Sequence, residues 1–242
     1  FFAPLFQAGS SWHIYGPRGL AGSLSETLAG QMQYAYFPVA IEQLTATVQY
    51  HDLVECTFDI DDITVTSRYL NHPALTLGYR LEVDGATVVY STDHEPHDRR
   101  LATGGDPAAS RHDLDHASLF TGADLLIHDA QYLAEEYPAK VGWGHSTVEY
   151  VVSVADLAGV KQVALFHHDP SRTDEAVDDL VARSRAFASE VGFAGEVIAA
   201  AEGETIELRG ASSGIQGAAR PIPVPRLEHM ARSVLLAVRN PE

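Results

Sequence analysis

Cysteine is almost missing from this chain: Cys56 is the only one in 242 residues, which excludes an internal disulfide and any cysteine-rich zinc site. A reducing, cytoplasmic setting is the resulting expectation. Long apolar runs are missing too. No uncharged stretch approaches the roughly 20 residues that a bilayer-spanning helix needs, so no membrane span is expected. Positive charge is scarce: 16 Lys and Arg stand against 33 Asp and Glu, a formal net charge of −17. Such a surface repels polyanions, and no local basic patch offsets it, so long RNA or DNA is a disfavoured partner. Neither a P-loop nor a dinucleotide glycine fingerprint occurs. The apolar start, Phe1-Phe2-Ala3-Pro4-Leu5-Phe6, has no initiating Met, no basic region and no small-residue cleavage site, so it does not read as a signal peptide. It reads as the middle of a fold.

Histidine, by contrast, is plentiful. Twelve residues are more than a core normally needs, and neutral imidazole is the commonest metal ligand. Where they fall depends on the secondary structure. Trp12–Tyr15 predicts a short strand, and Ser23-Leu24-Ser25-Glu26 is a capping box opening a helix toward Gln33. Between Thr45 and Arg68, β-branched and aromatic residues favour strands. Leu75–Val83 and Ala86–Ser91 flank Asp84-Gly85, a pair suited to a tight type I′ hairpin. The polar stretch 97–121 suits a long surface excursion with one short helix.

After it come Asp124–His128 and Val163–His167, short apolar runs without polar alternation, as in strands buried on both faces. A helix over Thr147–Leu157, opened by a capping box at Ser146, lies between them, and another, Thr173–Glu190, follows. That order implies right-handed crossovers onto a mainly parallel sheet, closed by Val197–Ala199 and Thr205–Leu208. From Gly210 small residues lead to Pro221-Ile222-Pro223-Val224-Pro225, a stiff linker, and Leu227–Val238 suits an amphipathic helix. The expected division is one α/β domain over residues 1–210, with 211–242 as linker and tail.

Five polar side chains stand where these elements begin or end. His72 precedes the hairpin and Asp93 follows it. Asp129 ends the first buried run, His167 ends the second, and His145 lies one residue before a helix cap. In α/β sheets ligands gather outside the carboxyl ends of strands, so these side chains are expected to converge. His and Asp without Cys suit Zn²⁺ or Mn²⁺, and a carboxylate bridging two such ions serves phosphoester hydrolysis. Taken singly, each has a blander use: His72 as a loop residue, Asp93 and Asp129 as acceptors for nearby amides, His145 as the residue before a cap. His94 and His97 either extend the site or, the favoured reading, are solvated loop histidines; His112 and His116 read as surface residues, and His168 and Asp169 as turn residues or as supports for the ligands beside them.

In order, Asn71-His72-Pro73 to Leu77-Gly78-Tyr79-Arg80, Tyr90-Ser91-Thr92-Asp93, Ala123-Asp124-Leu125-Leu126-Ile127-His128-Asp129-Ala130, Gly144-His145-Ser146-Thr147 and Leu165-Phe166-His167-His168-Asp169-Pro170 resemble successive motifs of metallo-β-lactamase-fold phosphodiesterases, the ribonuclease Z-like branch. The resemblance runs from Trp12 to Leu208. It implies an αββα sandwich and metal-dependent hydrolysis with two divalent ions, Zn²⁺ or Mn²⁺. It also implies His72 as a ligand of the first metal, Asp93 as the bridging carboxylate and His167 as a ligand of the second. His145 would contact the scissile phosphate and protonate the leaving oxygen, and Asp129 would orient it, a sound general-acid pair.

The family's His-x-His-x-Asp-His motif, which supplies two ligands to each metal and the base for water, has no counterpart, because no His-x-His occurs in the chain. The expectation is a chain that begins just after that motif, with the N-terminal part of the sandwich incomplete and metal held weakly by the remaining ligands. A small phosphoester is the expected substrate, with a homodimer as the candidate assembly. Two alternatives stand beside this reading: a thioester or lactone hydrolase of the same fold, and a non-catalytic, degenerate domain that binds partners.

Overall fold

In the computed structural model, which describes residues 5–20 and 22–208, the chain divides into two units, one built from residues 5–15 and 24–51 and the other from 16–23 and 52–208. The first pairs β1 (Ser11–Pro17) with β2 (Thr47–Leu53). It also carries α1 (Leu24–Gln31), which stops two residues short of its expected end. The linker and tail expected over 211–242 lie outside the described residues.

The second unit is a seven-stranded sheet in which every strand lies beside its neighbour in sequence. Its first half, β3 (Cys56–Ile60), β4 (Ile63–Tyr69), β5 (Leu77–Val83) and β6 (Ala86–Ser91), is antiparallel throughout. The turns explain this. Two residues, Asp84 and Gly85, join β5 to β6, and both take positive φ, 51° and 73°, as a type I′ hairpin demands. No crossover fits into so short a link, so the sheet is mixed and not mainly parallel.

From β6 onward the pairing is parallel, through β7 (Leu125–Asp129), β8 (Gln162–Phe166) and β9 (Glu196–Ala199). Three helices supply the layer that such strands require: α2 (Arg111–Ser118), α3 (Val148–Ala158) and α4 (Asp174–Val191). Val89, Leu126, Val163, Leu165 and Val197 meet Val151, Val154, Leu180 and Val181 in one core, each aliphatic side chain stabilising by about 1.5–3 kcal/mol when fully buried. Every residue of β7 is buried, the polar His128 and Asp129 at its end as well as the apolar Leu125, Leu126 and Ile127.

Three details depart from expectation. The cap of α3 is Thr147, whose Oγ1 accepts from the Tyr150 amide at 3.2 Å; the Ser146 hydroxyl is spent on the His94 carbonyl, 2.5 Å away. Residues 205–208 form no strand, because a turn at Ala201–Glu204, with Gly203 at φ 77°, leads the chain out of the sheet. The stretch 97–121 holds the short helix α2 and runs largely along the surface as expected, but it also sends side chains into the interior. Leu101, Ala102, Asp113, His116, Leu119 and Phe120 are all buried.

Candidate metal centre

Because β6, β7 and β8 run side by side in one direction, their carboxyl ends form a row, and Asp93, Asp129 and His167 stand along it. Two of the three have unusual backbones. Asp93 takes φ 63° and His167 takes φ 56°, a left-handed conformation that costs a non-glycine residue about 1–2 kcal/mol. Strain of this kind persists only where the surroundings over-determine it, and it gathers at functional sites.

Those turns bring side chains together. His167 Nε2 lies 3.4 Å from Asp93 Oδ1, and the His145 ring lies edge-on to the His167 ring with centroids 4.7 Å apart. Asp93, His145 and His167 each offer a donor atom within 4.8 Å of the others'. Behind them, Asp129 is completely buried and accepts from His145 Nδ1 at 2.6 Å and from the His94 and Gln131 amides at 3.2 Å each. With Nδ1 engaged in this way, Nε2 is the free nitrogen of His145. Burial alone would lower the pKa of His145, but the hydrogen bond and charge of Asp129, with Asp93 and Glu95 adding, carry it above the usual 6.5.

Two imidazoles and a carboxylate with an open side match the donor chemistry of a divalent ion such as Zn²⁺ or Mn²⁺. His72 sits at the margin of this group. Its ring centroid is 5.8 Å from that of His145, while its Nδ1 turns back to its own loop, 3.1 Å from the Ala74 amide and 3.2 Å from Thr76 Oγ1. Four of the five expected side chains are thus in direct contact, and His72 abuts the fourth.

Two features were not anticipated. Glu95, to which the sequence reading assigned no role, is buried, 5% exposed. Its carboxylate accepts from Tyr137 Oη at 2.6 Å, from the Gly142 amide at 2.9 Å and from the Gly144 amide at 3.0 Å. The segment leading into His145 is therefore fastened to the residue two beyond Asp93. Gly144, at φ 90°, leaves the space that the His72 ring fills, since a Cβ there would meet His72 Cδ2 at 2.3 Å.

The second is a buried histidine cluster. His94 and His116, expected to be solvated, are buried together with His128. His94 and His116 stack with centroids 3.4 Å apart, and His116 Nε2 lies 3.1 Å from His128 Nε2. The Asn71 amide donates to His94 Nδ1 at 3.1 Å, His94 Nε2 lies 3.2 Å from the Tyr150 hydroxyl, and that hydroxyl donates to Asp113 at 2.8 Å. Burial, reinforced by the neighbouring imidazoles, drives the pKa of His94 and His116 well down, and burial also lowers that of His128. The cluster is therefore neutral. His97 and His112 remain exposed, and Asp169 accepts from Ser171 in a tight turn, as expected.

Comparison with known proteins shows the family. The beta-lactamase superfamily domain matches residues 3–168. Ribonuclease Z of Halobacterium salinarum is 28% identical over 232 residues, covering 81% of this chain and 70% of its own length. Ribonuclease BN of Cronobacter sakazakii is 24% identical over 212 residues, covering 72% and 66%. Among solved structures, the metallo-beta-lactamase fold protein YhfI from Bacillus subtilis superposes with a TM-score of 0.56 at 20% identity, over 85% of this chain and 69% of that one. With well over half its length matched and its strand ends carrying this cluster of His and Asp, the chain belongs to the beta-lactamase superfamily.

Proposed function

We propose that the chain serves a metal-dependent hydrolase of small phosphodiesters. One observation carries this reading: Asp93 and His167 meet at 3.4 Å beyond the carboxyl ends of parallel strands, and the His145 ring, held by Asp129 at 2.6 Å, lies against that pair. The relatives' name, ribonuclease, supports phosphodiester chemistry, and the net charge of −17 favours a small substrate over long RNA.

In this reading Asp93, as the carboxylate shared between two sites, and His167 would hold two divalent ions, Zn²⁺ or Mn²⁺, with His72 alongside, and these when bound would supply positive charge against the phosphoryl group. His145 has one free nitrogen, so it cannot hold a cation and protonate a leaving group at once. We assign it the acid role. Asp129 fixes the ring at 2.6 Å and favours its protonated form, so a proton is available at Nε2 for the departing oxygen.

The assignment is tested by measuring Mn²⁺ or Zn²⁺ affinity and turnover of bis(p-nitrophenyl) phosphate by the intact gene product. His145→Ala is expected to cut turnover by about 10²–10⁴-fold while cation affinity stays within a few-fold. Asp93→Ala loses both. A loss of cation affinity in His145→Ala as complete as that in Asp93→Ala would make that residue a ligand instead. Faster turnover of thioesters or lactones than of the diester would transfer the site to ester chemistry.

A further inference from the structure

Trp143 stands next but one to His145, yet its side chain is 57% exposed. A large aromatic ring left in water forgoes the stabilisation that burial gives, so its place asks for a reason. The segment that carries it is rigid. The amides on either side, Gly142 and Gly144, both donate to the buried carboxylate of Glu95, at 2.9 and 3.0 Å. Lys140 Nζ lies over the Trp143 ring, 4.2 Å from its centroid, and 5.5 Å from that of Tyr132. The Tyr132 ring in turn meets the His145 ring edge-on at 6.1 Å. A flat, exposed ring with an ammonium over one face thus stands two positions before His145 in a segment tied to Glu95. One residue, Gly144, separates it from His145, a span of at most about 7 Å between Cα atoms.

We propose that Trp143 is a platform for an aromatic base of the substrate, which narrows the substrate class to nucleotide-type phosphodiesters. The base stacks on the indole while the phosphate lies against His145. Lys140 adds the positive charge that an anionic ligand needs on an acidic protein. Because the ring is already held, little conformational freedom is lost when a base lands on it. The inference rests on the phosphoester reading of the site.

The test is a calorimetric comparison of adenosine 5′-monophosphate with ribose 5-phosphate, at fixed Mn²⁺, on the full chain. Base stacking on an aromatic side chain predicts that the nucleotide binds roughly tenfold tighter. Trp143→Ala and Trp143→Leu are expected to bring it down to the level of the sugar phosphate, with Trp143→Phe retaining much of the preference. Equal binding of the two ligands by the parent protein, or a preference that survives in Trp143→Ala and Trp143→Leu, overturns the platform and leaves the phosphoester site standing. If neither ligand binds, the platform and the site reading fall together.

Discussion

Asp93 and His167 hold left-handed backbones at the ends of β6 and β8, and only a short polar side chain or glycine tolerates that conformation at modest cost. The strain can be separated from the chemistry by substitution. Asp93→Gly relieves the backbone and is expected to unfold no earlier than the parent. Asp93→Ala keeps the strain, loses the local hydrogen bond from Thr92 at 2.9 Å, and should melt about 2–4 °C lower for each kcal/mol lost. Both variants remove the carboxylate of the proposed cation site, so calorimetric melting is done without metal to read the backbone effect. Gly144 presents the opposite case, a position with no room. Gly144→Ala drives a methyl group into His72 Cδ2 at 2.3 Å and Pro73 Cδ at 2.6 Å. Overpacking of this kind costs about 1–3 kcal/mol, which urea unfolding will show, and turnover should fall with it as the His145 loop is displaced.

Among the elements, the tripeptide Asp93-His94-Glu95 links the parts of the site. Asp93 faces His167, the His94 amide holds Asp129, the His94 carbonyl receives Ser146, and Glu95 fastens the segment before His145. Glu95→Gln replaces an acceptor oxygen with an amide that opposes a glycine N–H, leaving a buried donor unpaired at about 1–3 kcal/mol. Hydrogen exchange at Gly142 and Gly144 is expected to quicken while that of α3 stays unchanged. If exchange at the two glycines did not change, the clamp would carry no weight.

Elements were legible in the sequence where a local signal exists. β7 shows through its apolar Leu125-Leu126-Ile127 run, the β5–β6 hairpin as Asp84-Gly85, and α4 as a stretch beginning at Thr173, its cap. Asp93, Asp129, His145 and His167 were legible because each sits where a strand or helix ends. Glu95, His94 and His116 were not. Their partners, Gly144, Tyr150 and His128 respectively, lie 49, 56 and 12 residues away, and a polar residue in a polar stretch carries no mark that distinguishes a buried hydrogen-bond partner from a solvated one. The cap of α3 was misplaced by one residue for the same reason: the remote His94 carbonyl claims Ser146.

For the molecule as a whole, the neutral histidine cluster sets a dependence on pH. His116 and His128 are held below the usual 6.5, the first well below it, so on acidification the unfolded chain takes up protons that the folded one refuses. Stability therefore falls as pH drops below about 6.5, by up to about 1.4 kcal/mol per pH unit for each such histidine, until the folded-state values are reached. Urea unfolding at pH 7.5 and 5.5 will show it, and His116→Phe, which removes one of these groups, should reduce the slope. A slope unchanged in that variant would mean that His116 takes up its proton in the folded state as readily as in the unfolded one.

No helix among the described residues is long and apolar enough to cross a membrane. The sequence pI is about 5.0, so mild acid that opens the interior leaves the released chains still bearing like charge and repelling one another. Neutralising a sample taken to pH 5.5 should restore native protein in good yield, whereas the same treatment at the isoelectric point should leave a precipitate.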